Sequence, residues 1–194
     1  MTRPDRRRLD AVMFARVDGV LRDLRLLGAE IGGFDFGYPV EEAVFEEGAS
    51  PSRIEQLAAL VAEPLPPDYR YFLSRCAGFV AMDFHNGYAV HAPELVARMF
   101  RDAGAPKRVI AATAAHTLLP VAGDGGRNVF LLGLGVATFV LRWNHETVGS
   151  HSEVASGDSS LTIVADSFAA FLERVRDDWR HYLGPDPDSW AYIT

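Results

Sequence analysis

Cysteine is nearly absent from this sequence, and long apolar runs are missing. The 194 residues include one cysteine, Cys76, which cannot form a disulfide within the chain; unpaired thiols are typical of reducing compartments. No run approaches the ~20 consecutive apolar residues that a membrane-spanning helix requires. The arginine-rich residues 1–8 are not followed by the apolar stretch of a secretory signal peptide. We therefore expect a cytoplasmic protein that does not bind membranes.

Positive charge is scarce outside the N-terminal region. The net charge is −7, yet residues 1–28 contain seven arginines and four aspartates, which leaves −10 for the rest of the chain. An acidic body does not suit a protein that binds the phosphate backbone of nucleic acids. It suits a partner protein with a basic surface, or a simple soluble exterior. In residues 1–28 aspartates alternate with the arginines, which indicates a docked or partner-facing helix.

Apolar residues at helical spacing predict five helices. The first covers residues 5–28 and is ended by Gly28 and the glycines at 32–33. The second begins near residues 50–52, where Ser52 and Glu55 have capping-box spacing. The third follows residues 65–68 and is capped by Gly78, and the fourth covers residues 93–103. The last begins at residue 166 or 167 and stops at residues 184–185.

Between these helices the pattern favours strands. Residues 79–84 and 88–91 predict a hairpin around an Asn-Gly turn, and residues 118–122, 128–132 and 136–145 predict a meander. The runs 129–132 and 139–141 are apolar on both faces, as in central, covered strands, and residues 161–164 predict a short strand. We therefore predict an α+β fold with a central, mainly antiparallel sheet flanked by helices. It divides into an extension (1–49, a basic helix and an aromatic and acidic stretch), a main domain (50–184) and a tail (185–194).

The chain offers few candidates for catalysis or metal binding. Its six histidines lack the spacings of known metal motifs, which favours turn and surface histidines over ligands. Cys76 lies in the last turn of a predicted amphipathic helix, where a packed thiol is commoner than a nucleophile. The glycine-rich residues 123–128 precede a strand, whereas a phosphate-binding loop precedes a helix. We predict a non-enzyme with no catalytic residue, cofactor or metal.

Acidic and aromatic residues alternate between residues 34 and 47. Acidic runs usually form a solvated face, but aromatic residues beside charge are typical of protein interfaces. We predict that this stretch and the tip of the first hairpin contact a protein partner. The candidate contact residues are Phe36, Tyr38, Glu41, Glu42, Glu46, Glu47, Asp83, His85 and Asn86.

Several blocks resemble the SMI1/KNR4 (SUKH) superfamily. Residues 65–73 read LPPDYRYFL with a glycine at 78, residues 118–130 read LLPVAGDGGRNVF, residues 140–146 read VLRWNHE, and residues 167–172 read SFAAFL. The resemblance covers residues 50–183, and the physics of its blocks is mostly structural, since Leu-Pro starts a helix and Asp-Gly-Gly shapes a turn. The motif residues are Leu65, Pro66, Asp68, Tyr69, Phe72, Leu73, Gly78, Leu119, Pro120, Asp124, Gly126, Trp143, Phe168 and Phe171.

The resemblance implies an α+β fold without known catalytic activity. Bacterial members look like immunity proteins of polymorphic toxin systems, which bind and block a cognate toxin, often a nuclease. The expected function is therefore neutralisation of a toxin by occlusion, and the toxin is expected to have a basic surface. The alternative is a non-catalytic regulatory or scaffold module that binds a protein other than a toxin, for which the helical extension and the Trp190-Tyr192 tail offer docking surfaces.

Overall fold

The fold is seen in a computed structural model that describes residues 6–33, 40–81, 87–102, 106–110, 115–135, 137–144, 153–155 and 158–184. Within these residues there are five helices and nine strands. The helices are α1 (Arg6–Gly32), α2 (Pro51–Val61), α3 (Pro67–Arg75), α4 (Pro93–Arg101) and α5 (Phe168–Tyr182). The strands are β1 (Val44–Phe45), β2 (Phe79–Ala81), β3 (Tyr88–Val90), β4 (Arg108–Ile110), β5 (Ala115–Asp124), β6 (Val129–Gly133), β7 (Phe139–Trp143), β8 (Glu153–Ala155) and β9 (Leu161–Ala165).

The strands form a mainly antiparallel sheet in the order β1-β2-β3-β5-β6-β7-β9. The long strand β5 pairs with β3 near Ala122 and with β4 near His116, and β4 pairs in parallel with β8. The hairpin β2–β3 has Phe79 opposite Val90, and the meander β5–β6–β7 runs as the sequence predicts. The α+β prediction is confirmed.

The sheet separates a large core from a small one. The large core lies between the sheet and the helices, and α5 contributes the fully buried Phe168, Phe171 and Trp179. The small core lies on the opposite face and includes Leu131 and Leu141. Strands β6 and β7 therefore bury residues on both faces, as their continuous apolar runs predict.

Helix α1 belongs to the large core. Its residues Val17, Val20, Leu21, Leu24 and Ile31 are buried there, and α1 packs mainly against α5 and α3. The basic helix is thus docked along its buried face. It also continues past Gly28, which does not end it; a Cβ at Gly28 would lie 2.8 Å from the Cβ of Ala43, so close packing accounts for that glycine.

Two further local predictions need correction. Helix α2 is capped by Ser50, whose side chain accepts a hydrogen bond from the Arg53 amide, and not by a capping box at Ser52. Gly78 is not the cap of α3, because the helix ends at Cys76 in extended backbone. A Cβ at Gly78 would lie 2.5 Å from the carbonyl oxygen of Val90, so this glycine allows two strands to approach closely.

Strands β1, β4 and β8 were not predicted. Each has two or three residues, too few for a period of two to be recognised in sequence. Ser167 caps α5 by accepting from the Ala170 amide, which confirms one of the two predicted caps.

Candidate functional site

The residues around β1 form an exposed acidic edge, which we call the acidic segment (residues 41–47). All four of its glutamates, Glu41, Glu42, Glu46 and Glu47, have exposed side chains. Between them Val44 leaves 64% of its surface accessible, one of the most exposed large apolar residues among those described. An apolar centre with a charged rim is the usual anatomy of a protein interface.

The backbone of the acidic segment is tied down at both ends. The amide of Ala43 donates to the carbonyl of Gly28 in α1 (3.3 Å), and the amide of Glu46 donates to the Gly78 carbonyl (2.9 Å). The carbonyl of Glu47 accepts from Ala77 at 3.1 Å. The exposed carboxylates are therefore carried by a fixed stretch of chain, which reduces the ordering cost of binding.

Phe45 anchors the segment from below. Its ring stacks on Phe79 with 5.1 Å between centroids, and the Arg25 guanidinium lies 5.5 Å from its centroid. Val44 and Phe45 alternate on the strand, so burying one ring directs its neighbour outward. Val44 is a candidate contact residue that the sequence analysis missed, because the short strand that orients it was not recognised.

Five of the predicted contact residues, Phe36, Tyr38, Asp83, His85 and Asn86, lie outside the described residues, so their assignment stays a prediction. In the register of β1 with β2, Val44 faces Val80. Because β1 and β2 are antiparallel, Glu42 and Ala81 lie at the same end of this pair of strands.

The family-motif residues are placed very differently, since most of them are buried. Tyr69, Phe72, Leu73, Leu119, Phe168 and Phe171 are fully buried, and Leu65 and Trp143 are each 6% exposed. The Phe168 ring lies 4.7 Å from that of Tyr69 and 5.1 Å from that of Phe72. Pro66 is the N-cap of α3, and Pro67 is its first residue, where the fixed φ of proline suits the helix start.

Asp68 joins two of the motif blocks. Its side chain is 5% exposed; Oδ1 accepts from the Tyr69 amide and Oδ2 from the Ala169 amide, both at 2.9 Å. Ala169 is in the first turn of α5, so this buried carboxylate lies at the positive N-termini of both α3 and α5. Its geometry is that of a structural cap.

The glycine-rich residues 123–128 form a hairpin turn. Asp124 accepts hydrogen bonds from the Asn128 amide (2.9 Å) and from its Nδ2 (2.7 Å), and Arg127 takes a positive φ of 65°. The exposed Gly126 lies beside the Asp124 carboxylate. The Asp124 carboxylate thus occupies the Asn128 amide, which is then not available to a phosphate. Pro120 and Leu119 lie on β5, the strand that leads into this turn.

Cys76 and His91 are buried groups without the features of a reactive site. Burial raises the pKa of the Cys76 thiol, and the thiol donates a hydrogen bond to the Gly78 carbonyl at 3.1 Å. A raised pKa leaves little thiolate, the nucleophilic form. Burial lowers the pKa of His91 to about 4, and its Nδ1 has no hydrogen-bond partner among the described residues.

The described residues contain no group of three or more His, Cys, Asp or Glu side chains placed to hold a metal ion. None of the helices in the described ranges is long and apolar enough to span a membrane.

Comparison with known proteins decides the family. The model of the SMI1 / KNR4 family (SUKH-1) matches residues 48–174, about two thirds of the chain. The chain belongs to the SMI1/KNR4 (SUKH-1) family. The match includes the buried cap Asp68 and the aromatic residues Phe168 and Phe171 of α5, but it begins after the acidic segment and α1. A search of curated protein sequences returned no match to this chain.

Proposed function

We propose that this member of the SMI1/KNR4 family is an immunity protein, which binds a cognate toxin of a bacterial polymorphic toxin system and blocks it by occlusion. The observation that carries the proposal is the acidic segment: four exposed glutamates surround the exposed Val44 on a fixed edge of the sheet. Such a surface fits a partner whose own face is basic and has a small apolar centre.

A nuclease is the toxin class that best fits this charge. Its substrate groove must attract phosphates, and it therefore carries lysine and arginine side chains. The acidic segment offers carboxylates in their place, and opposite charge accelerates encounter between the two proteins. In this proposal the chain is not an enzyme; the toxin is silenced because its groove is covered.

The direct experiment has two stages. First, the tagged full chain is used to capture partners from its native host, with washes at moderate and at high salt. Second, the gene of each captured protein is expressed in a heterologous bacterial host, with and without this chain. The proposal expects a basic protein, released at high salt, that arrests growth alone and no longer does so when the chain is present.

Matched variants test whether the acidic segment is the contact surface. Glu46→Lys with Glu47→Lys should slow association with the captured toxin and flatten its salt dependence. The control is Glu55→Lys with Asp102→Lys, the same change of net charge at exposed carboxylates on α2 and after α4. If both pairs of substitutions slowed association equally, the effect would come from the net charge of the chain and not from the acidic segment as a contact surface.

A different result would favour the scaffold alternative. Captured proteins that do not arrest growth, or that stay bound at high salt, would contradict toxin neutralisation and favour a regulatory module. Growth arrest that persists despite stable binding would contradict occlusion.

A further inference from the structure

The exposed face of α1 has an unexplained glycine at its centre. Gly19 lies midway between Arg6 and Gly32, the two ends of the helix. Glycine disfavours a helix interior relative to alanine, so it usually has a packing reason there. At Gly28 the reason is Ala43, but a Cβ added at Gly19 meets no described atom within 4 Å. Among the described residues, the space in front of Gly19 is open.

The residues that share this face are symmetric about Gly19. Val12 and Leu26 lie seven residues before and after it, and Arg8 and Glu30 lie eleven residues before and after it. In an α-helix, steps of seven and eleven residues return to within about 20° of the same direction. All four side chains are exposed, Val12 by 64% and Leu26 by 66%. We call Arg8, Val12, Gly19, Leu26 and Glu30 the α1 stripe.

The α1 stripe is complementary to itself. In an antiparallel pair of helices related by a two-fold axis at Gly19, Val12 of each copy faces Leu26 of the other. Arg8 likewise faces Glu30, and symmetry makes each contact twice. The missing Cβ atoms at the crossing allow the two backbones to approach closely. A groove of about 910 Å³ is lined in part by Gly19 and Leu26 of the stripe, so no described residue fills the surface at the crossing.

The like charges nearest the crossing have partners within the same chain. Arg22 approaches Arg16 of the second copy in this arrangement. Arg16 donates to both carboxylate oxygens of Glu173, with its Nε 2.6 Å from Oε1, and Arg22 lies 3.5 Å from Asp23. Glu173 offsets the charge of Arg16, and Asp23, which also accepts a hydrogen bond from Arg180 at 2.7 Å, offsets part of the charge of Arg22.

We propose that the chain forms a symmetric dimer through α1, with two copies crossing antiparallel at Gly19. The proposal does not depend on the toxin-binding function, since the α1 stripe precedes the family-matched residues and shares no residue with the acidic segment.

The first test is sedimentation equilibrium of the full chain and of Gly19→Leu. The wild-type chain should dimerise reversibly. Leucine at residue 19 has open space in the monomer and favours the helix, so the melting temperature should not fall. At the crossing it forces the helices apart, and the dissociation constant should rise by about tenfold or more.

The second test uses the charges at the ends of the stripe. Arg8→Glu and Glu30→Arg should each raise the dissociation constant by about tenfold, because each replaces two attractive contacts with repulsive ones. An equimolar mixture of the two variants should restore dimerisation as heterodimers, since both of its ends then pair opposite charges. Native mass spectrometry distinguishes these species, and Arg127→Glu on the β5–β6 turn serves as the charge-matched control.

Three results would overturn the proposal. A wild-type chain that stays monomeric at the highest soluble concentration excludes the dimer. A dimer with unchanged affinity in Gly19→Leu uses another surface. A mixture of the charge variants that dimerises no better than either variant alone excludes the antiparallel register.

Discussion

Asp68 and Glu46 are both carboxylates, yet their surroundings are opposite. Asp68 is 5% exposed and accepts two backbone amides at the ends of α3 and α5. The Glu46 side chain is exposed, and only the backbone of that residue is held, by the Gly78 carbonyl. The family match includes the first and excludes the second.

The contrast extends to the two regions around them. The motif blocks around Asp68 consist of buried aromatic residues and caps, whose physical role is to hold the helices on the sheet. In the acidic segment Phe45 packs against Phe79, whereas the glutamates and Val44 have exposed side chains on a fixed backbone and add little to stability. We infer that the family motif specifies the fold, whereas the partner is selected by residues outside it. Substitutions in the two regions should therefore separate stability from binding.

The largest effect on stability is expected from Phe168→Ala. The Phe168 ring is fully buried against Tyr69, Phe72 and Phe171, and removing a buried aromatic ring leaves a cavity that costs about 4 kcal/mol. Urea unfolding should show this loss. Val44→Ala, the control in the acidic segment, should change the free energy of unfolding by less than about 0.5 kcal/mol. Comparable losses in the two variants would contradict the division between the regions.

The next effect concerns pH and His91. Burial lowers its pKa to about 4 in the folded state, from an ordinary value of 6.5. Between these values the unfolded chain binds more protons, so stability falls as the pH falls from 6.5 to 4. The shift corresponds to about 3 kcal/mol. The measurement is the free energy of unfolding as a function of pH.

His91→Phe provides the control for this pH dependence. Hydrogen bonds from Arg53 and Arg16 lower the pKa of Glu94 and of Glu173 respectively, and these carboxyls lose their contribution only below their ordinary value of 4.5. The variant should therefore flatten the stability profile above pH 4.5 and leave the lower part intact. An unchanged slope above pH 4.5 would show that His91 is not the responsible group.

A smaller effect is expected from Asp68→Asn. The amide keeps the size of the carboxylate, but it replaces one of the two acceptor oxygens with an NH2 donor, which faces the amide of either Tyr69 or Ala169. Losing one charge-assisted hydrogen bond and weakening the other should cost about 2 kcal/mol. Asp102→Asn, at an exposed carboxylate after α4, should be neutral within about 0.5 kcal/mol. Equal urea midpoints for the two variants would exclude Asp68 as a structural cap.

Much of the fold follows from the sequence because its signals are local. Helical spacing, the serine before α5 and the apolar runs of β6 and β7 predict their elements correctly. The errors arise where a contact between residues far apart in the sequence determines the local structure. Gly78 looks like a helix cap in sequence, but its role is the approach of Val90. The hydrogen bond from the Ala169 amide to Asp68 joins residues that are 101 positions apart, so no local sequence pattern indicates it.

The candidate site is predicted less completely. The glutamates of the acidic segment are recognisable in sequence as an exposed run. Val44 is not, because its exposure depends on the two-residue strand β1 and on the packing of Phe45 against Phe79. The sequence also leaves open whether the basic helix is docked or free, because its apolar stripe does not indicate which elements cover it. In the structure α5 and α3 cover this stripe.

The most direct measurement compares two variants in the same two assays, urea unfolding and capture of the partner from the native host. One variant replaces Glu41, Glu42, Glu46 and Glu47 with glutamine, and the other is Asp68→Asn, assayed where both are folded. We expect the glutamine variant to keep the urea midpoint of the wild-type chain and to lose the salt-sensitive partner. Asp68→Asn should have a lower midpoint and keep the partner. Retention of the partner by the glutamine variant, with its loss in folded Asp68→Asn, would contradict the account.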